Sequence, residues 1–160
     1  MYDLDLIEEL EFFENDELDS IEEASTQNNI REYAKGLIRT IFQHMIKYQY
    51  NQRKQSKSWV STIIRDYKKL SEIDKHKLFK LVQIYILDEA YFEGRKLAID
   101  EDDCNVIKKE SSEWRPYEWD LYFLTNIESI KEFLYTYQSN SMVYKFDLDE
   151  CIERGLKSKC

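Results

Sequence analysis

The sequence predicts an all-α protein, and three observations support this fold class. The 160 residues include only three Gly and one Pro, so the chain lacks the turn residues that a many-stranded protein needs. Apolar residues recur at separations of three and four along several segments, which is the period of an α-helix. Hydrophobic residues make up 42% of the chain, enough for one core. We therefore expect a single-domain bundle of about six or seven helices.

The first 29 residues form a segment that we call the acidic arm. Leu6, Leu10 and Phe13 lie at helical spacing within it, which predicts an amphipathic helix with a buried apolar stripe. A second short helix is predicted from Glu17, followed by a polar loop in which Asn29 caps the next helix. The arm contains no Lys, Arg or His, and it contains eleven carboxylates: Asp3, Asp5, Glu8, Glu9, Glu11, Glu14, Asp16, Glu17, Asp19, Glu22 and Glu23.

The strongest helical periodicity runs from Ile30 to Tyr50 and predicts a central helix with a wide apolar face. A polar, basic loop follows, and Ser58 is predicted to cap the helix after it. Asp74 is predicted to begin a long helix that continues through Leu97.

The last third of the chain gives weaker signals. The four carboxylates at residues 100–103 are predicted to end the long helix, and the aromatic residues around Pro116 to pack irregularly on the body. Asn126 or Thr125 can cap a further helix. Residues 141–146 alternate enough for a short extended segment, and Asp147 can cap a final helix that stops at Gly155. The expected divisions are 1–29 (acidic helical arm), 30–103 (core) and 104–160 (aromatic-rich C-terminal part).

Three phrases in the middle of the chain carry a family resemblance. In order they are FQHMIKYQY, SKSW with STIIRDYKKL, and ILDEAYFEGRKLAIDE. Through them the stretch 30–100 resembles the DUF29 family of small helical proteins, known mainly from bacterial genomes and without an assigned activity. The resemblance implies a helical bundle and says little about function. It rests on His44, Lys47, Tyr48, Gln49, Tyr50, Ser58, Trp59, Arg65, Glu89, Ala90, Tyr91 and Arg95.

Charge is segregated along the chain, whose net charge is −9. Between Arg31 and Lys80 there are 13 Lys and Arg against four acids, whereas the last 80 residues carry ten against 17. Blocks of one sign govern long-range attraction and the choice of partner more than they govern fold. A dense negative face on the arm can therefore speed association with a basic protein.

The sequence shows no recognisable catalytic or metal-binding constellation. It lacks a phosphate-binding loop, a GxSxG elbow and an HExxH motif. The carboxylates at 100–103 lack the spacing of a calcium loop, and the pair Glu89 and Glu93 has no ExxH partner. His44 is expected at the edge of the core, where it hydrogen-bonds a neighbouring element. We expect no enzymatic activity, no cofactor and no metal, and three reduced thiols at Cys104, Cys151 and Cys160.

The chain also lacks an apolar run of roughly 18 residues and a basic signal sequence at its start, which favours a cytoplasmic protein that does not enter membranes.

The first functional hypothesis is a non-catalytic inhibitor. Specifically, it is an immunity protein or antitoxin that neutralises a basic, nuclease-type bacterial toxin through an acidic face. Tyrosine and tryptophan are favoured anchors at such interfaces. The predicted partner-binding residues are Glu8, Glu9, Glu11, Glu14, Asp16, Glu17 and Asp19, with Tyr117 and Trp119 as anchors.

The alternative hypothesis is a nucleic-acid-associated accessory protein. Basic residues interleaved with aromatics are typical of single-strand binding, although the net charge of −9 opposes the approach of phosphate. A scaffold that only oligomerises is a third possibility. The predicted nucleic-acid-binding residues are Lys47, Arg53, Lys54, Lys57, Trp59, Arg65, Lys68 and Lys69.

Overall fold

The computed structural model describes the backbone of residues 14–140 and 146–158, and the side chains of residues 24–140 and 146–158. All regular secondary structure in these residues is helical, which confirms the all-α prediction. Two short helices, Val106–Glu110 and Leu121–Leu124, are not predicted from the sequence. The α-helices in the described residues are α1 (Glu14–Tyr50), α2 (Lys57–Ser71), α3 (Lys75–Leu81), α4 (Ile84–Asp100), α5 (Val106–Glu110), α6 (Leu121–Leu124), α7 (Ile127–Thr136) and α8 (Leu148–Lys157), and a 3₁₀ helix covers Gln52–Lys54.

Helix α1 is the central helix, and it packs against both α2 and α4. The predicted periodicity from Ile30 to Tyr50 is confirmed, because the buried residues recur every three or four positions. Tyr33, which the pattern placed on the apolar face, is half exposed. The fully buried residues on this face are Ala34, Ile38, Ile41, Phe42, Met45, Ile46 and Tyr48.

The acidic arm continues the central helix without a break from Glu14. The predicted loop at residues 26–29, with Asn29 as a cap, is therefore wrong. Each polar residue there costs the helix only about half a kcal/mol relative to Ala, and the buried turns that follow outweigh that cost. The helix reaches about 24 Å beyond Ile30 at 1.5 Å per residue. The predicted stripe of Leu6, Leu10 and Phe13 lies outside the described residues.

Helices α1 and α4 approach each other closely at Gly94. A Cβ atom there would lie 2.7 Å from the Arg39 carbonyl oxygen and 3.1 Å from the Gln43 nitrogen. Ion pairs flank this crossing, so part of the basic block between Arg31 and Lys80 is neutralised within the molecule. They are Lys35–Glu89 at 2.9 Å, Arg39–Glu93 at 3.2 Å and Lys47–Glu101 at 2.8 Å.

The predicted long helix after Asp74 is two helices. Asp74 caps α3 as predicted, since its side chain accepts a hydrogen bond from the Lys77 nitrogen at 3.0 Å. Val82 then adopts an extended conformation and enters the core, which turns the chain before α4. The Arg31 Nε donates to the Leu81 carbonyl at 3.1 Å and so satisfies a carbonyl at the end of α3. This hydrogen bond joins the base of the acidic arm to the turn at Val82, between α3 and α4.

The other predicted caps agree with the structure except at α2. Helix α2 begins after Ser56 rather than after Ser58. Asn126 and Asp147 accept hydrogen bonds from the first turns of α7 and α8 and so confirm two predicted caps. Helix α8 passes through Gly155 and ends at Lys157. Most of the predicted extended segment, residues 141–145, lies outside the described residues.

Buried hydrogen bonds join the C-terminal part to the corner between α1 and α2. The Tyr48 hydroxyl donates to the Leu134 carbonyl at 2.8 Å. The Gln55 Nε2 donates to the carbonyls of Tyr48 and Tyr137, at 2.7 Å and 2.6 Å, and its Oε1 accepts from the Ser139 nitrogen at 2.9 Å. Helix α7 is thereby fixed to the central helix.

Candidate partner-binding surface

An open groove of about 600 Å³ lies between the end of α3, the start of α4 and the loop that leads into α6. We call it the aromatic groove. Three core residues, Val82, Leu87 and Leu121, form its floor. Its walls consist of Phe79, Ile84, Tyr85, Arg115, Tyr117, Asp120 and Tyr122.

The walls of the aromatic groove carry several large side chains that are exposed to solvent. Tyr117 is 91% exposed, Tyr122 is 70% exposed and Ile84 is 68% exposed. Several large exposed apolar side chains around one concave surface mark interaction sites more often than scattered ones do. Tyrosine is also enriched at protein interfaces, because it combines a large apolar ring with a hydrogen-bonding hydroxyl. The exposure of Tyr117 agrees with its predicted role as an anchor, which remains a prediction.

Arg115 fixes the loop that carries Tyr117. Its Nε donates to the Asp88 carboxylate at 2.8 Å, and its Nη1 donates to the Trp119 carbonyl at 2.9 Å. Asp120 caps α6 by accepting from the Phe123 nitrogen at 3.0 Å. A loop held in this way loses little conformational entropy when a partner binds.

Phe79 and Tyr122 close one end of the aromatic groove. Their ring centroids lie 4.9 Å apart, within the range of a favourable aromatic pair. The Lys75 Nζ lies 5.7 Å from the Phe79 centroid, where the ammonium can interact with the ring face. This end of the groove is therefore ordered and carries positive charge.

Trp119 is not an interface anchor, contrary to the prediction. It is 5% exposed and stacks on Phe42 at a centroid distance of 5.6 Å. Edge contacts to Tyr91 at 6.0 Å and Phe133 at 5.7 Å enclose the rest of the indole. In the loop that Arg115 holds, the Trp119 ring is directed into the core, whereas Tyr117 and Glu118 are exposed to solvent.

The acidic arm leaves the body beside the aromatic groove. The contact from Arg31 to Leu81 places the base of the arm next to Val82 and Gln83, which line the groove. Six carboxylates and no basic residue lie between Glu14 and Glu23. Of the predicted binding residues, four belong to the first turns of α1: Glu14, Asp16, Glu17 and Asp19. The other three lie outside the described residues: Glu8, Glu9 and Glu11.

The residues of the nucleic-acid alternative are partly engaged inside the molecule. Lys47 pairs with Glu101, and its Nζ lies 4.9 Å from the centroid of Trp59, which is only half exposed. Lys54 pairs with Asp103 at 3.5 Å.

The rest of this basic set is spread along α2 and the loop before it. Arg65 donates to Asp66 at 2.9 Å, and Lys68 donates to the Ser158 carbonyl. Arg53 and Lys57 are exposed and Lys69 is half exposed. The side chain best suited to stacking on a base, Trp59, is thus covered on one face by Lys47.

Several residues that carry the family resemblance have structural roles. The Tyr91 hydroxyl donates to the Ser112 carbonyl at 2.7 Å, and the Arg95 Nε donates to the Ser111 hydroxyl at 2.8 Å. Burial raises the pKa of Tyr48 and raises that of Tyr91 to about 12, so both remain hydrogen-bond donors at neutral pH.

His44 also has a local structural role. Its Nδ1 lies 2.9 Å from the Thr40 carbonyl, one turn earlier in the same helix and not on a neighbouring element as expected. Burial lowers the pKa of His44, which favours the neutral ring with Nδ1 as the donor.

One feature of the sequence indicates the aromatic groove, although it was not interpreted in this way. Ile84, Tyr85, Ile86 and Leu87 are four consecutive apolar residues, and one helix face cannot bury all of them. Ile86 and Leu87 are buried, whereas Ile84 and Tyr85 form the groove wall.

The described residues contain neither a cluster of metal ligands nor a membrane-spanning helix. No three His, Cys, Asp or Glu side chains in this part of the chain come together as metal ligands would. None of the described helices is long and apolar enough to cross a membrane.

Comparison with known proteins places the chain in one family. The family model "Domain of unknown function DUF29" matches residues 3–122, which extends beyond the stretch 30–100 on both sides. The match includes the acidic arm and the aromatic groove, and it ends before α7. No curated protein and no solved structure matches the chain. Since the match covers three quarters of its length, this chain belongs to the DUF29 family.

Proposed function

We propose that this protein is a non-catalytic inhibitor of the immunity or antitoxin type, which binds and neutralises a basic, nuclease-type toxin. The observation that carries the proposal is the continuity of the acidic arm with α1, at a base that adjoins an exposed aromatic groove. A partner that docks at the groove would lie beside the base of a helix whose first ten residues include six carboxylates in the sequence.

The charge on the arm suits a partner that binds nucleic acid. Six carboxylates within ten residues, without a basic neighbour, produce a strong local negative potential. A nuclease carries a cationic cleft because its substrate is a polyphosphate. Complementary potentials of this kind accelerate protein association by about tenfold to a thousandfold.

The basic residues of α1 that follow the arm already have partners. Lys35, Arg39 and Lys47 pair with carboxylates of α4. These pairs reduce the positive charge on the body that would otherwise attract the arm or a nucleic acid, and they support a role for the arm in binding an external protein.

The test is capture of a partner by the full chain from a nuclease-treated lysate of its own organism, at low and at high salt. We expect a basic protein that is retained at low salt and released at high salt, and whose nuclease activity the full chain inhibits. Material that is captured only from a parallel lysate without nuclease treatment would instead support the nucleic-acid alternative.

A charge-neutral arm provides the decisive variant. Replacing Glu14, Asp16, Glu17 and Asp19 by their amides keeps the side-chain sizes and removes four charges. We expect the association rate with the captured protein to fall by at least about tenfold. The matched control removes four charges elsewhere: Glu72→Gln, Glu132→Gln, Asp149→Asn and Glu153→Gln. Equal effects of the two sets, or a captured partner that is acidic, would contradict the proposal.

A further inference from the structure

We propose that the aromatic groove receives a basic polypeptide segment of the partner that carries a large apolar anchor, such as a Trp or Leu beside Arg or Lys. This inference rests on the proposed function and assigns a separate task to the groove: the arm attracts the partner, and the groove holds one of its side chains.

The shape and surface of the aromatic groove fit an anchor side chain. Its volume of about 600 Å³ falls within the range of about 300–1,000 Å³ that is typical of small-molecule sites, which leaves room for a large side chain. The floor is apolar, and the walls present tyrosine rings that no other described part of the chain covers fully. The removal of this apolar surface from water is the expected source of affinity.

The charges around the aromatic groove determine the sign of the segment. On the loop wall, Asp88 neutralises the charge of Arg115, which leaves the carboxylate of Asp120 in the groove lining, and the neighbouring Glu118 is exposed on the same loop. The opposite wall belongs to α3, where Lys75 lies over Phe79. The partner's cations are therefore expected beside the loop wall, with its apolar anchor between the walls.

The tyrosine rings also favour a cationic segment. Tyr117 is 91% exposed, so its ring faces are accessible to an Arg or Lys side chain, and Tyr122 is still 70% exposed although its ring packs against Phe79. A guanidinium over an aromatic ring gains stability from the negative face of the ring. In a partner segment, an arginine next to an apolar anchor could contact a tyrosine ring face while the anchor contacts the apolar surface of the groove.

The net charge disfavours two other occupants. Two copies of this chain each carry a charge of −9 and would repel one another, and each groove adjoins an acidic arm. Nucleic acid would bring phosphates against Glu118 and Asp120.

Three labelled peptides of equal length test the inference with the full chain, by fluorescence anisotropy near physiological salt. The first carries Lys, Arg, Trp and Leu; the second has Ser in place of Trp and Leu; the third has Glu in place of Lys and Arg. We expect the first to bind at least about tenfold more tightly than the other two. Equal binding of the first and second would show attraction by charge alone and would overturn the inference, as would binding of none.

Substitutions in the groove locate the binding. Tyr117→Ala and Tyr122→Ala should each weaken binding of the first peptide by about tenfold. Tyr135→Ala, at a partly exposed tyrosine of α7 outside the groove, is the matched control and should leave affinity unchanged. Melting curves followed by circular dichroism check that each variant folds. Wild-type affinity in both groove variants would overturn the inference.

Two outcomes separate this inference from the proposed function. If Tyr122→Ala still captures the cellular partner at wild-type affinity while the charge-neutral arm does not, the groove assignment fails and the inhibitor function stands. If the full chain forms a dimer by light scattering and Tyr122→Ala dissociates it, the groove binds a second copy and the inference is wrong.

Discussion

The seam between α1 and α4 and the aromatic groove use similar residues in opposite ways. In the seam, Lys35 and Lys47 each meet a glutamate, and the Tyr91 hydroxyl is hydrogen-bonded at its far end. In the groove, Tyr117 and Tyr122 leave most of their surface exposed. The seam satisfies its own polar and aromatic groups, whereas the groove presents them to another molecule.

The difference shows where family resemblance is informative. Lys47, Tyr48, Glu89, Tyr91 and Arg95 carry the resemblance to DUF29, and each makes an internal contact that holds the helices together. The wall residues of the groove lie outside the three phrases, and of the floor residues only Leu87 belongs to one of them. Family membership in this chain therefore predicts the scaffold, and the partner must be inferred from exposed surface and charge.

The largest expected effect compares two aromatic residues of one loop. Trp119→Ala should lower the free energy of unfolding by about 3–5 kcal/mol, because it leaves a cavity between Phe42, Tyr91 and Phe133. Tyr117→Ala, two residues earlier, should change it by no more than about 0.5 kcal/mol. Urea denaturation measures both values. Similar losses of unfolding free energy in the two variants would contradict the assignment of Trp119 to the core and of Tyr117 to the surface.

An intermediate effect is expected at the helix crossing. Gly94→Leu should cost about 2–3 kcal/mol of unfolding free energy, since its Cβ alone would lie 2.7 Å from the Arg39 carbonyl oxygen. The control is Gly36→Ala on α1, where the nearest atom in the way is the end of the Arg39 side chain at 3.8 Å. That change should stabilise the protein by roughly 0.5–1 kcal/mol through helix propensity. A tolerated leucine at position 94 would contradict the close approach of the two backbones.

The smallest expected effect concerns pH. The hydrogen bond from Lys47 holds the pKa of Glu101 below its usual value of 4.5. Glu101 therefore contributes stability above that pH, and the contribution is lost as the pH falls through the lower pKa of the folded state. The ion pair between Lys47 and Glu101 is partly exposed to solvent, so it contributes at most about 1 kcal/mol to the free energy of unfolding.

Glu101→Gln should accordingly reduce the loss of stability on acidification, measured by urea denaturation at a series of pH values down to the acid limit of folding. Glu132→Gln, on an exposed position of α7, serves as the control and should follow the wild-type curve. An unchanged acid dependence in Glu101→Gln would show that the seam pair contributes nothing to folding.

Local signals in the sequence were sufficient for the elements that depend on local chemistry. The period of three and four along α1 reflects burial of one face, and Asp74, Asn126 and Asp147 cap helices through bonds to residues two or three positions away. Such features are predictable because both partners in the interaction are neighbours in the chain.

Features that depend on distant residues were not predictable. No Gly or Pro marks the break at Val82, which arises because its side chain enters the core. Tyr117 and Trp119 stand two positions apart in one irregular run, and their opposite exposure depends on the contact from Arg115 to Asp88 on another helix. The central helix continues through residues 26–29, although the polar composition of these four residues predicts a loop.

The three hydrogen bonds of the Gln55 side chain have a consequence for how the chain can be divided. The family match ends at residue 122, yet Gln55, inside the match, holds Tyr137 and Ser139, outside it. A chain cut at residue 122 would lose the hydrogen bonds from Gln55 to Tyr137 and Ser139. It would also expose the core residues that pack against Leu134 and Ile152. The family match is therefore shorter than the part of the chain that packs into one core, and we expect a chain that ends at residue 122 to be less stable than the full chain.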